Sequence, residues 1–223
     1  MCGRFTLTSD MDTLLYRFAA IVPPAFPYIP RYNIAPTQPI LAIVSEDQRR
    51  VFKQFRWGLI PAWAKDSRLA SKMINARSET LTEKPAFKTL LKSRRCLIPA
   101  DGFYEWMQTN GKKQPFYIHL KSKEPFAFAG LWDQWLSPSG PVYTCTIITT
   151  KANSLITPLH DRMPVILQRD HEHIWLDGTI HDPQQLLPLL QPFSDEAMTC
   201  YPVQSIVNSP QYDIPECTMP LQY

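Results

Sequence analysis

The sequence has no pair of cysteines spaced for a disulfide framework or a zinc site. Its five cysteines are odd in number, scattered along 223 residues and without a Cys-x-x-Cys motif. Small secreted domains and structural zinc sites both depend on such spacings. The pattern argues against these classes of protein and favours a reducing compartment. We expect neither a metal nor another cofactor.

Long apolar runs, targeting signals and internal repeats are also missing. No stretch approaches the roughly 18 consecutive apolar residues of a membrane-spanning helix. The amino terminus lacks the basic segment and apolar run of a secretory signal. A net charge of +3 and a pI near 8.6 permit an anionic ligand but do not require one. We therefore expect an intracellular, cytoplasmic protein without a membrane partner.

The apolar periodicity predicts few helices. A stripe at i, i+3, i+4 and i+7 behind a Ser-Asp pair predicts a helix over residues 10–20, and a proline begins another over 85–92. The proline-rich residues 21–39 are typical of an ordered loop. The stretch from residue 204 onward also contains prolines, and we expect it to wrap the surface.

Most of the remaining pattern is typical of strands. Apolar or alternating runs predict strands over residues 39–44, 51–57, 73–77, 96–100, 103–107, 115–120, 126–132 and 142–149. Asn110-Gly111 predicts a hairpin turn, and shorter helices are expected over 151–157, 170–176 and 183–190. We predict one α+β domain over residues 1–223, with a mainly antiparallel, barrel-like β core and peripheral helices.

Cys2 follows the initiator methionine directly. Removal of Met1 would leave a free α-amine and a thiol on the same residue, which together form a 1,2-aminothiol. Reference pKa values of about 7.7–8.0 for the amine and about 8.5 for the thiol give both groups nucleophilic fractions near neutral pH. A chance cysteine in a frayed terminus is the alternative, and position alone does not decide between them.

Asn75 and Arg77 form a polar element next to Met73-Ile74. In an extended segment both side chains point to the same face, since side chains alternate along a strand. An amide beside a guanidinium suits a phosphate or a polarised oxygen. A loop amide with a surface arginine remains the alternative.

Glu105 and His160 are candidates for proton transfer. Glu105 lies within an aromatic run, where desolvation would raise its pKa; it could equally face water through simple alternation. His160 precedes a predicted strand and carries the usual acid–base group for neutral pH, although a lone histidine is often structural. His171 and His173 are rejected as a metal pair, because positions i and i+2 of a helix diverge.

Trp57 and Trp63 flank a Gly/Pro turn. Aromatic side chains interleaved with Arg56, Lys65 and Arg68 could stack on unpaired bases while the cations follow phosphates. Core packing is the usual role of tryptophan, so this signal is weak by itself.

Taken together, five segments resemble the SRAP domain, the SOS-response-associated peptidase-like family whose members crosslink to abasic sites in single-stranded DNA. They occur in the family's order and cover essentially the whole chain: Met1–Arg4, Trp57–Pro61, Asn75–Glu79, Pro99–Trp106 and His160–Pro164. The resemblance implies that the amine and thiol of Cys2 capture the opened sugar aldehyde as a thiazolidine.

The resemblance also implies roles for the other candidates. Glu105 would orient or deprotonate the amine, His160 would move protons, and Asn75 would hold the cysteine or a sugar oxygen. Phosphate contacts would come from Arg4, Arg77 and Arg162, and Trp63 would be a wedge or stacking surface. Ala64 stands where some relatives have a second tryptophan, which weakens the stacking role.

The resemblance implies single-stranded DNA with abasic sites as the partner, and association with the nucleoid in a bacterium. We expect a monomer, since nothing in the sequence suggests an obligate oligomer. Two alternatives differ in class. A cysteine-dependent peptidase or amidohydrolase would pair Cys2 with His160, and removal of Met1 would be a limited form of that activity. A non-covalent nucleic-acid module would bind without Cys2 and weaken with salt.

Overall fold

Strands carry most of the fold. The computed structural model describes residues 2–24, 26–109 and 111–221. The strands in this part of the chain are β1 Phe5–Leu7, β2 Arg31–Ile34, β3 Pro39–Glu46, β4 Arg49–Trp57, β5 Asn75–Arg77, β6 Arg95–Ala100, β7 Gly102–Thr109, β8 Lys112–Leu120, β9 Phe126–Ser137, β10 Gly140–Lys151, β11 Arg162–Pro164 and β12 Met198–Pro202.

The helices are short and lie between or after the strands. The α-helices are α1 Met11–Phe18, α2 Pro85–Ser93, α3 Glu172–Leu176 and α4 Pro183–Leu186. Single 3-10 turns occur at Ser67–Lys72, Ser78–Thr80, Arg169–His171, Leu187–Leu189, Asp195–Ala197, Ser205–Asn208 and Pro215–Thr218. None of the helices in the described ranges is long and apolar enough to cross a bilayer.

Five strands close into a barrel. The order β10-β4-β3-β6-β9 returns to β10, and the β4–β10 pair is parallel while the other four pairs are antiparallel. A Cβ at Gly130 would lie 2.9 Å from Cys96 Sγ, so the barrel wall is too tight for a side chain there. Two short strands, β5 and β11, extend the barrel by pairing with β10.

A second, antiparallel sheet in the order β12-β8-β7-β1-β2 packs on the barrel. Phe5 lies between the two layers, with its ring centroid 5.2 Å from Trp57 and 5.8 Å from Phe128. These edge-to-face contacts join β1 to the barrel core. The first strand of the chain is therefore a buried strand of the second sheet, with Phe5 packed against the barrel.

Asp101 fixes how β1 lies on β7. Its carboxylate accepts hydrogen bonds from Thr6 Oγ1 at 2.6 Å, from Thr8 N at 2.6 Å and from Ser9 N at 2.9 Å. The paired residues beside it are Thr6 with Gly102 and Phe5 with Phe103. A buried carboxylate with several donors resists any slip of the strand, because a slip would leave those donors unsatisfied.

The carboxy-terminal segment is tied to β2. Asn33 Nδ2 donates to the carbonyl oxygens of Val207, Ser209 and Tyr212 at 3.2, 3.0 and 2.6 Å. Asp213 accepts from the backbone N–H of Asn33 at 2.9 Å. The fully buried Asn33 thus anchors the segment after Gln204.

The predicted fold class is confirmed, since the protein is mainly β with peripheral helices. The predicted helix over 151–157 is wrong: β10 runs to Lys151 and hydrogen-bonded turns follow. There Asn153 Oδ1 accepts from Ile156 N at 3.0 Å, a side-chain bond that competes with helix. The proline-rich loop contains β2, which was not predicted. The β7–β8 hairpin forms, but Asn110 of its predicted turn lies outside the described residues.

Candidate active site

The pairing of β1 with β7 brings Cys2 beside Glu105. Phe5 pairs with Phe103 and Tyr104 N donates to Arg4 O at 3.0 Å, so the start of the chain runs along β7, where the charge of Glu105 reaches the Cys2 thiol. Cys2 is fully buried, and its thiol lies 3.8 Å from Arg4 O. Cys2 is therefore held in the core, and the reading of a frayed terminus is wrong. Met1 lies outside the described residues.

The surroundings of Cys2 disfavour its thiolate. Burial raises the pKa of the thiol, and the negative charge of Glu105 raises it further. The thiol is therefore neutral near pH 7 in this arrangement. A reaction that needs the thiolate must include a base that removes this proton.

Asn75 holds the backbone of Cys2. It lies on β5, which pairs in parallel with β10 at Ile147, and its Nδ2 donates to Cys2 O at 2.8 Å. Its buried Oδ1 has no hydrogen-bond partner among the described residues. Asn75 therefore keeps one acceptor available. The extended conformation predicted for this segment is confirmed, with Ala76 buried and Arg77 exposed.

Glu105 is a buried acid, only 4% exposed, so the alternative that it faces water is wrong. Burial raises its pKa, and the charge of Asp161 raises it further. Glu105 therefore holds its proton to a higher pH than an ordinary carboxyl group. A carboxyl group of this kind can exchange protons near neutral pH.

His160 faces the same region from the loop before β11. Its Nδ1 lies 2.7 Å from a carboxylate oxygen of Asp161 and accepts from Arg162 N at 3.0 Å. The Asp161 carboxylate favours a protonated Nδ1, whereas the backbone N–H of Arg162 favours an unprotonated Nδ1. Burial lowers the pKa of His160, which favours the neutral ring near pH 7. Because Asp161 acts on both Glu105 and His160, it links the two groups electrostatically.

Two of the predicted phosphate contacts are bonded within the protein. Arg4 Nη1 donates to Asn33 Oδ1 and to Val207 O, both at 2.7 Å. Arg162 is almost buried and forms a two-bond pair with Glu79, each bond 2.9 Å long. Any DNA contact by these arginines remains a prediction.

The other two predicted contacts are open to solvent. Arg77 is exposed, and Trp63 is 65% exposed. Trp63 borders a surface cavity of about 480 Å³ that Lys65, Arg68 and Lys72 also line. An exposed indole among cations suits a nucleic acid strand better than core packing does. In the described ranges, no group of three or more His, Cys, Asp or Glu residues could hold a metal ion.

Sequence comparison relates this site to a known family. A family model described as SOS response associated peptidase (SRAP) matches residues 1–210. The chain belongs to the SRAP family. The resemblance inferred from the five segments is therefore confirmed.

Several known proteins are similar to this chain over most of their length. Abasic site processing protein YoqW of Bacillus subtilis (strain 168) is 51% identical over 219 residues, covering 97% of this chain and 98% of that protein. Abasic site processing protein HMCES of Gallus gallus is 36% identical, covering 87% of this chain and 67% of that protein. A crystal structure of a protein from Bacteroides thetaiotaomicron is 28% identical, with a TM-score of 0.87 over 99% of this chain and all of that one.

The sequence pattern did not single out several residues that support this SRAP site. Asp101 and Glu79 lie inside two of the five segments, yet neither received a role. Asn33 lies in the proline-rich stretch that was interpreted as a loop. Their partners are 95, 83 and 174 residues away, at Thr6, Arg162 and Val207. For Asn33 and Asp101 the local signal was a polar residue next to an apolar or aromatic one, whereas Glu79 lies between Ser78 and Thr80.

We expect Asn75→Ala to loosen the start of the chain. The lost Nδ2 bond to Cys2 O is worth about 1 kcal/mol, which corresponds to roughly a fivefold rise in the exposed population of Cys2. Alkylation of Cys2 in the native protein, followed by mass spectrometry, measures this change. Cys96, buried in the barrel, is the internal control, and equal gains at both cysteines would indicate global unfolding instead.

Proposed function

We propose that this chain processes abasic sites in DNA by bonding covalently to them through Cys2. The proposal rests on one observation above the others: Asn75 holds the backbone of Cys2, and buried Glu105 is close enough for its charge to act on the Cys2 thiol. The names of the relatives from Bacillus subtilis and Gallus gallus, both abasic site processing proteins, support the same function. The partner is DNA with an abasic site in a single-stranded region, and the protein acts as a monomer inside the cell.

The chemistry uses both nucleophiles of Cys2 after Met1 is removed. The α-amine attacks the aldehyde of the opened deoxyribose and expels one water to give an imine. The thiol then adds its sulfur to the imine carbon, and its proton goes to the nitrogen. The five-membered thiazolidine ring holds the sugar through two bonds, so it resists the hydrolysis that reverses a simple imine.

Glu105 supplies the base for both steps. A carboxylate with a raised pKa is a stronger base than an ordinary one, so it can take a proton from the ammonium form of Cys2. The same carboxylate lies close enough to the thiol to affect its ionisation. One buried acid thereby serves the amine first and the sulfur second.

His160 moves the protons of the sugar. Ring opening requires one proton to leave the anomeric hydroxyl and another to reach the ring oxygen. A neutral imidazole carries one N–H and one lone pair, so it can serve as acid and as base. Asp161 and the Arg162 N–H provide a partner for either protonation state of Nδ1. We assign the free Oδ1 of Asn75 to a hydroxyl of the opened sugar.

The DNA strand passes over the exposed side of the site. We assign exposed Arg77, two residues after Asn75, to a phosphate next to the lesion and the exposed face of Trp63 to a base. Arg4 and Arg162 add positive charge from within the protein. We propose that contact with the phosphate backbone positions the strand and does not select a base sequence.

Removal of Met1 by the chain itself is a second, narrower candidate. The description of the family as a peptidase favours it, and the thiol of Cys2 adjoins the bond that must break. A broader cysteine-dependent peptidase would use Cys2 with His160 on other substrates. Cleavage of peptides that depends on Cys2 and does not respond to DNA is the result that favours the broader form.

Replacing the Cys2 thiol with a hydroxyl leaves the α-amine as the reacting nucleophile of that residue. We expect Cys2→Ser to form an imine that borohydride traps, but no adduct that survives heating without a reductant. The starting protein should form the heat-stable adduct unaided. Denaturing gels with an oligonucleotide that contains one abasic site measure both. Cys200→Ser is the matched control and should behave like the starting protein; heat-stable adducts with Cys2→Ser contradict the thiazolidine.

The adduct should form faster as the pH rises through the pKa of Glu105. Because that pKa is raised, the base form appears at a higher pH than for an ordinary carboxyl group, and the rate should fall on the acid side of it. Glu105→Gln should slow the reaction about a hundredfold and remove this limb of the profile. Single-turnover rates from about pH 4 to about pH 8, which cover the ordinary pKa values of carboxyl and imidazole groups, measure the effect. An unchanged profile in Glu105→Gln excludes Glu105 as the base.

A further inference from the structure

Glu79 and Arg162 form a closed pair next to the site. Both guanidinium Nη atoms lie 2.9 Å from a carboxylate oxygen of Glu79, which gives the two parallel bonds typical of a strong arginine–carboxylate contact. The Arg162 side chain is 11% exposed and that of Glu79 is 43% exposed. The carboxylate therefore covers the guanidinium from the solvent side.

This pair joins three segments of the chain. Arg162 Nη2 also donates to Thr149 O on β10 at 2.6 Å. Thr149 pairs with Arg77 of β5 and with Pro164 of β11. Glu79 follows β5, which carries Asn75, while Arg162 begins β11 directly after the His160 loop. The pair thus links the segment that holds Cys2 to the segment that carries His160.

Arg162 also contacts the imidazole directly. Its backbone N–H donates to His160 Nδ1 at 3.0 Å, so the orientation of the ring follows the backbone at residue 162. The guanidinium of the same residue is held by Glu79 and Thr149. With both Nη atoms held, the Arg162 side chain ties the start of β11 to β10 and to the segment after β5.

We propose that Glu79 is a positioning residue for His160, acting through Arg162. The inference rests on the proposed function, because its effect is measured on adduct formation. Without the carboxylate, the Arg162 guanidinium can leave Thr149, and the start of β11, whose N–H orients His160, loses one of its ties to β10. A small misplacement of a proton-transfer group slows the reaction without weakening DNA binding.

A different role for Glu79 has the opposite consequence. If the carboxylate only blocks Arg162 from a DNA phosphate, its removal exposes the guanidinium and adds one net positive charge. DNA would then bind more tightly, and the maximal rate would not fall. A positioning role lowers the maximal rate, whereas a blocking role lowers the half-saturating DNA concentration. Measuring both quantities decides between the two roles.

The test uses single-turnover adduct formation by the full chain on an abasic oligonucleotide over a range of DNA concentrations. Glu79→Ala and Glu79→Gln are compared with Glu83→Ala and Glu83→Gln. Glu83 is exposed, lies four residues further on and carries the same charge. We expect both Glu79 variants to lower the maximal rate about tenfold and change the half-saturating concentration less than about twofold. Both Glu83 variants should match the starting protein.

Arg162→Lys keeps the charge and loses the two-bond geometry. It should lower the maximal rate as Glu79→Ala does, and the double variant should add little, since the two residues act as one unit. Loss of folded protein lowers the final amount of adduct and leaves the maximal rate of the folded fraction intact. An unchanged maximal rate in both Glu79 variants, or tighter DNA binding, overturns the inference. The absence of an adduct with the starting protein overturns the proposed function as well.

Discussion

The site depends on how the first strand of the chain pairs with β7. All three residues of β1 are buried within the second sheet, and Asp101 holds the strand in register through Thr6, Thr8 and Ser9. This register places Cys2 next to Glu105. A chain terminus is normally mobile, so a reactive terminal residue needs such an anchor before it can meet a partner group reproducibly.

The charges of the site are matched to chemistry near neutral pH. Burial raises the pKa values of the Cys2 thiol and the Glu105 carboxyl, and it lowers that of His160. All three shifts favour the neutral form, because each charged form loses water. Neutral nucleophiles and a neutral imidazole suit condensation with an aldehyde, and Glu105 is a strengthened base once it has lost its proton. The pair of exposed Glu79 and largely buried Arg162 keeps a full positive charge close by without leaving it uncompensated.

Local patterns predicted the longer strands and helices and the candidate site residues, but not the residues that hold those candidates in position. Helix α1 and the barrel strands follow apolar periodicity, so their existence could be predicted to within a few residues. β1, with three residues, is too short to show a period and forms only through its partners. Cys2, Asn75, Glu105 and His160 stand out by chemical type, whereas Arg162 reveals its contact with Glu79 only when β5 and β11 meet on β10. Turn formation at Asn153 likewise depends on a side-chain bond that competes with helix.

The central claim is that the amine and the thiol of Cys2 act together on one aldehyde. Intact mass spectrometry of the protein after incubation with an oligonucleotide that carries one abasic site, without reductant, tests it most directly. The expected mass, after heating under denaturing conditions, is that of the chain without Met1 plus the oligonucleotide minus one water. A simple imine has the same mass but hydrolyses on heating, whereas the thiazolidine persists. The chain at its unmodified mass, or an adduct that retains Met1, would contradict the claim, because an amine blocked by methionine cannot close the thiazolidine ring.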